Sequence, residues 1–260
     1  VVVTSDAGSG VGYTNFRVRG SDPTRINITV NGIPLNDSES QGVWWVNMPD
    51  FSTSLDNIQI QRGVGTSTNG ASAFGATVNL KTTGLNKKPY VRNNNTYGSF
   101  NTLKNNLEYG TGLMDGKFAF DGRLSQITSD GYIDRASSNL KSLYLSIGYF
   151  GKNEMLKAIM FSGKERTYQA WYGVPLNYLD SARTYNPYNY ENEIDDYEQT
   201  HYQLHYSKKP NKNTNLNISV HYTHGEGYYE QFKADEYLVD YGLNNVIAGN
   251  DTITSTDLIR

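Results

Sequence analysis

From about residue 90 onward the chain alternates by twos. Leu216, Ile218, Val220 and Tyr222 alternate with Asn217, Ser219 and His221, and Tyr202, Leu204 and Tyr206 alternate with His201, Gln203 and His205. The same period carries Leu143, Leu145, Ile147 and Tyr149, then Leu103, Asn105, Leu107 and Tyr109. It also sets Phe118, Phe120, Gly122 and Leu124 opposite Lys117, Ala119, Asp121 and Arg123. A further strand presents Met155, Lys157, Ile159 and Phe161 on one face and Leu156, Ala158 and Met160 on the other. A period of two predicts strands with one apolar and one polar face. Runs of about 10 residues exceed the ~5–6 of a soluble sandwich strand and fit antiparallel strands crossing a membrane around a wet lumen. The connections support this. Those near 111–116, 151–153 and 209–213 are short, and those near 129–138, 166–197 and from 225 onward are long. Outer-membrane barrels alternate in this way; the short turn at 98–100 is the exception.

The first 83 residues differ. Short strands are predicted near 14–19, 25–31, 58–62 and 76–81, with a helical turn over 47–55 capped by Ser52 or Ser54. Ile58 and Ile60 alternate with Gln59 and Gln61, which predicts a half-buried strand. Gly63, Gly65, Gly70 and Gly75 then space a loop that other residues could not trace. It is not a phosphate loop: Thr68 stands where G-x-G-x-x-G needs its last glycine, and no G-K-[ST] follows. Thr83 to Pro89 reads as a linker. The division is therefore 1–83, a small mixed α/β unit, and 84–260, the strands of a partial barrel. The small unit is near the lower size limit for a free-standing core and is expected to lean on a surrounding wall.

Composition narrows the function classes. Net charge is −3, which gives no basic field for nucleic acid. There are no cysteines, so disulfides and thiolate metal sites are excluded. Mean hydropathy is −0.61 and no apolar run reaches the ~18 residues of a spanning helix, a test to which β-barrels are blind. The 21 tyrosines suit strands in general and the interface girdles of barrels in particular. No G-x-S-x-G elbow is present, and no enzyme activity or cofactor is expected. If the last hairpin turns near Asn211, His201 pairs with His221, but no third ligand is evident and no metal site is predicted. The acidic run Glu191 to Glu198 lacks calcium-loop spacing and reads as a solvated loop.

Three motifs in order carry a family resemblance: Asn15-Phe16-Arg17-Val18-Arg19-Gly20; Ile26 through Leu35 with its Val30-Asn31-Gly32-Ile33-Pro34; and Leu55 to Thr82. Together they resemble the C-terminal part of the plug domain of TonB-dependent outer-membrane receptors. The resemblance implies a plug inside a barrel of about 22 strands, most of them outside this chain, and a cut from a longer protein. It implies import across the outer membrane of a scarce ligand such as a ferric siderophore or cobalamin. The implied partners are membrane lipid, a small-molecule ligand such as a metal chelate, and TonB, whose contact segment would lie upstream of Val1. A glycan importer of the same fold and a soluble β-rich binding module are the alternatives.

The resemblance also implies site residues. Arg19 and Arg62 would anchor plug to barrel by pairing with wall glutamates, a role suited to the guanidinium fork. Loops 21–25 and 38–45 would face the ligand, contributing Arg25, Gln41, Trp44 and Trp45, and Trp171 and Tyr172 would cover it from outside. Aromatic rings in a polar loop suit flat or amphipathic ligands; packing of one tryptophan against the barrel lining is the alternative.

Overall fold

The computed structural model describes residues 1–64 and 74–260; the middle of the glycine-rich loop, with Gly65 and Gly70, lies outside them. A hairpin of β1 (Val2–Ser5) and β2 (Thr14–Arg17) opens the chain. A four-stranded sheet follows, built from β3 (Ile26–Val30), β4 (Ile33–Pro34), β5 (Leu55–Arg62) and β6 (Ala76–Thr82) in the order β4-β3-β6-β5. Only the β3–β6 pair is parallel. Two 3-10 turns, Trp45–Asn47 and Phe51–Ser54, lie between β4 and β5. The helical turn expected at 47–55 is thus split. Neither Ser52 nor Ser54 caps it: the residue before the second turn is Asp50, whose side chain is engaged elsewhere.

The wall consists of β7 (Pro89–Gly98), β8 (Thr102–Thr111), β9 (Phe118–Ser129), β10 (Ser138–Phe150), β11 (Glu154–Tyr168), β12 (Ile194–Asn211) and β13 (Thr214–Glu230). These seven antiparallel strands pair in chain order, with β7 and β13 at the edges. Two small hairpins, β14 (Phe232–Tyr237) with β17 (Ser255–Ile259) and β15 (Val246–Ala248) with β16 (Asp251–Ile253), complete the chain. β12 and β13 run to 18 and 17 residues, well past the expected ten, so part of what read as loop is strand.

The pleat sorts the side chains as the alternation predicts. Leu107, Leu124, Ile147, Leu204 and Val220 are exposed on the outer face. Asn106, Asp121, Arg123, Ser125, Ser142, Ser146 and Gln203 are buried on the inner one. A soluble sandwich would reverse these faces; a barrel wall facing lipid requires them.

The core runs across the two units. Val18, Ile26, Ile28, Val30, Phe51, Val78 and Leu80 of the small sheet cluster with Tyr144, Ile159 and Phe161 of the wall. Phe51 meets Phe161 with ring centroids 4.8 Å apart. On β5 the expectation fails. Ile58 and Ile60 remain about half exposed, because β5 is the edge of the small sheet and no wall strand pairs with it or covers it.

Candidate functional site

Two features mark the seam between the small unit and the wall. The first is ionic. Asp50 reaches out of the turn between the two 3-10 segments, with a left-handed backbone (φ 55°). Its side chain, 2% exposed, accepts hydrogen bonds from Arg123 Nη1 (3.0 Å), Asn106 Nδ2 (3.0 Å) and Ser125 Oγ (2.6 Å), and from Lys104 and Thr53. Arg123 Nε donates to Ser54 Oγ at 2.7 Å. Burial by itself would raise the Asp50 carboxyl, but bonds from Lys104, Ser125 and Thr53 and the Arg123 charge hold it below its ordinary 3.8. A buried carboxylate this fully partnered is a fixed anchor. Around it, Asn31 Nδ2 donates to Gln203 Oε1 (2.9 Å), and Asn86 Nδ2 of the linker donates to Asp121 (2.8 Å).

The second is a cavity of about 630 Å³ beside the first hairpin. Tyr13 lines it, edge-on to Trp44 (6.4 Å) and Trp171 (5.6 Å), and Trp171 in turn meets Tyr229 at 6.2 Å. The Tyr13 hydroxyl donates to Asp195, and burial is the first cause that lifts this phenol above its usual range. Five carboxylates line the cavity: Asp6, Asp37, Glu39, Glu165 and Asp195. Glu165 is 1% exposed; its Oε2 accepts from Thr167 (2.9 Å), and its Oε1 accepts no hydrogen bond. Asp37 is held below the usual carboxylate range by the backbone N–H of Ser40, and Asp6 is raised by burial.

Of the residues singled out in the sequence, the cavity gathers Trp44 and Trp171. Trp45 instead packs on Phe16 (5.6 Å) against the core. Tyr172 stacks on Tyr188 at 5.0 Å. Gln41 holds its own loop, donating to the Ser38 carbonyl (2.9 Å), and Arg25 is exposed at the end of a 3-10 turn, its carbonyl accepting from Gly75. Arg19 and Arg62 are exposed, and among the described residues neither makes an ion pair of 4.0 Å or less. Tyr13, Asp50 and Glu165 carry no signal in the sequence, and Asp195 lies in the acidic run that reads as a solvated loop.

Two chemical expectations are corrected. His201 pairs with Thr223, and His221 with Gln203, because the hairpin turns at 212–213 with a register shift between Lys208 and Asn211. No group of three or more metal-ligating side chains occurs among the described residues. The acidic run is not a solvated loop throughout. Glu193 is buried and accepts from the Phe232 backbone (3.0 Å), and β12 begins at Ile194.

A small mixed sheet seated on the polar face of an outward-apolar antiparallel wall is the arrangement of a plugged β-barrel, of which seven strands pair among the described residues. Residues 1–77 match the TonB-dependent receptor plug domain, a likeness that points to the outer membrane. No curated protein matches the sequence. Solved structures share the fold. The ferric citrate transporter FecA in its unliganded form superposes with a TM-score of 0.70 at 19% identity, over 89% of this chain and 37% of that one. The ferric-catecholate import receptor Fiu of Escherichia coli K12, closed form, gives 0.67 at 15% identity, over 97% and 36%. The ferripyoverdine receptor of Pseudomonas aeruginosa gives 0.66 at 12%, over 86% and 31%. The chain thus spans about a third of the length of these receptors.

Proposed function

We propose that the chain serves TonB-dependent import of an iron chelate across the outer membrane, with residues 1–83 as plug and 84–260 as barrel wall. The observation that carries this reading is the plug seated in the polar lining of the wall and pinned there by Asp50. The similar receptors, named for ferric citrate, ferric catecholate and ferripyoverdine, support a metal chelate over cobalamin or a glycan as cargo. In this reading TonB engages the receptor upstream of Val1 and supplies the force that moves the plug. Arg19 and Arg62 are further anchors, pairing with wall carboxylates beyond this chain. Trp44 and Trp171 meet the ligand, with Arg25, Gln41, Trp45 and Tyr172 on the surrounding loops.

The test is uptake of radioactive iron in a strain lacking the gene, complemented by the full-length receptor or by an empty plasmid. Restored uptake that stops when the proton gradient is collapsed is expected. Rescue confined to cobalamin or to a glycan carbon source would sink the iron reading.

A further inference from the structure

The cavity around Tyr13 carries a charge pattern that the proposed function does not explain. Its lining holds the five carboxylates named above and no lysine, arginine or histidine among the described residues. Glu165 is the least comfortable of them. It is fully buried, Asp195 lines the same cavity, and one of its oxygens lacks any donor. An unpaired buried carboxylate oxygen forfeits solvation with no return. Something that donates hydrogen bonds and brings positive charge would relieve it. A bare metal ion does not fit, since no three of these groups converge on a point among the described residues. An organic cation does. The rings of Trp44, Tyr13 and Trp171 stand beside the acids, and the ring quadrupole attracts an ammonium over an aromatic face, the more so when it is desolvated.

We propose that this cavity recognises a positively charged amine on the imported ligand, with Glu165 as its principal partner and the tryptophans as its walls. The proposal rests on the import reading and narrows it: the chelate is cationic or carries a free amine arm, and polyanionic chelates are disfavoured by like charge. A neutral sugar would find stacking surfaces and acceptors here, but it would bring no positive charge to the acids.

The experiment uses the full-length receptor in detergent and its intrinsic tryptophan fluorescence. The probes are a linear trihydroxamate ferric chelate with a free terminal amine, the same chelate N-acetylated, ferric citrate, a neutral oligosaccharide, and spermidine as a cation without iron. The amine-bearing chelate is expected to bind about tenfold tighter than its acetylated twin, with spermidine competing. Glu165→Gln is expected to bring the two chelates within about twofold of each other, which a merely structural role for Glu165 would not do. Equal or tighter binding of the acetylated chelate or of ferric citrate overturns the inference, as does an unchanged preference in Glu165→Gln or binding of the oligosaccharide alone. If no chelate binds but spermidine does, and Glu165→Gln weakens it, the cation site stands and the iron reading falls. If nothing binds, spermidine included, the inference falls.

Discussion

Asp50 sits in a backbone region that costs most residues about 1 kcal/mol or more, and it is held there by wall side chains on β8 and β9. Removing it strands Arg123, which is 3% exposed, as an unpaired buried cation. Asp50→Ala is therefore expected to destabilise the plug–wall seam by about 3–5 kcal/mol, and Asp50→Ala combined with Arg123→Met by clearly less. Denaturant titration of the full-length receptor checks both. The pH dependence follows from the depressed carboxyl. A lowered folded-state pKa contributes stability above the unfolded value of 3.8 and loses it as the pH falls through the folded one. Seam stability should thus be flat between about pH 5 and 8 in the same titration, and fall only in stronger acid. The sequence did not expose this residue. It pointed to arginines on the plug and acids on the wall, whereas at this contact the signs are exchanged. A lone aspartate after Met-Pro carries no periodic signal.

At the scale of elements, one close approach of wall to plug backbone depends on a missing side chain. A methyl group on Gly163 of β11 would run into the Asn47 carbonyl and lie 2.7 Å from Pro49 Cδ. Neither can retreat without moving plug backbone. Gly163→Val is expected to cost about 1–3 kcal/mol by overpacking and to make the 45–54 segment sensitive to protease in the folded receptor, which limited proteolysis would show. Gly75 plays the same part within the plug, its Cβ position lying 2.5 Å from Ser21 Cβ. The wall strands were legible because a period of two reports directly which face meets lipid. Burial of β5 was not, since the alternation of Ile58 and Ile60 says which side is apolar but not whether anything covers it. The histidine register was lost to a shift near the turn that no pattern in residues 208–214 announces.

At the scale of the molecule, the cavity is the least legible feature. Tyr13 and Asp195 are 182 residues apart in sequence, and only the seating of the first hairpin against the ends of β11 and β12 brings them together. Trp44 and Trp171 could be named beforehand because exposed tryptophans in polar loops stand out; the acids could not, since Asp6, Asp37 and Glu39 are ordinary loop residues by pattern, Glu165 is one polar position of a strand, and Asp195 sits in a run that reads as solvated. The dependence of the small unit on its surroundings was legible from its size and glycine content. The observed cluster gives it a cause, with three of its 13 buried members contributed by the wall. A peptide of residues 1–83 alone is expected to lack a cooperative thermal transition by circular dichroism; a sharp one would show that the wall is dispensable to it.

That common interior bears on biogenesis. Tyr144, Ile159 and Phe161 are nonpolar surface on the side of the sheet meant for water. A ring closed first and stoppered later would pass through a stage with these three rings and branches wetted, and the stopper would wait outside half-formed. Seating the stopper takes this surface out of water, so an emptied wall would carry a wetted apolar patch that the occupied one does not.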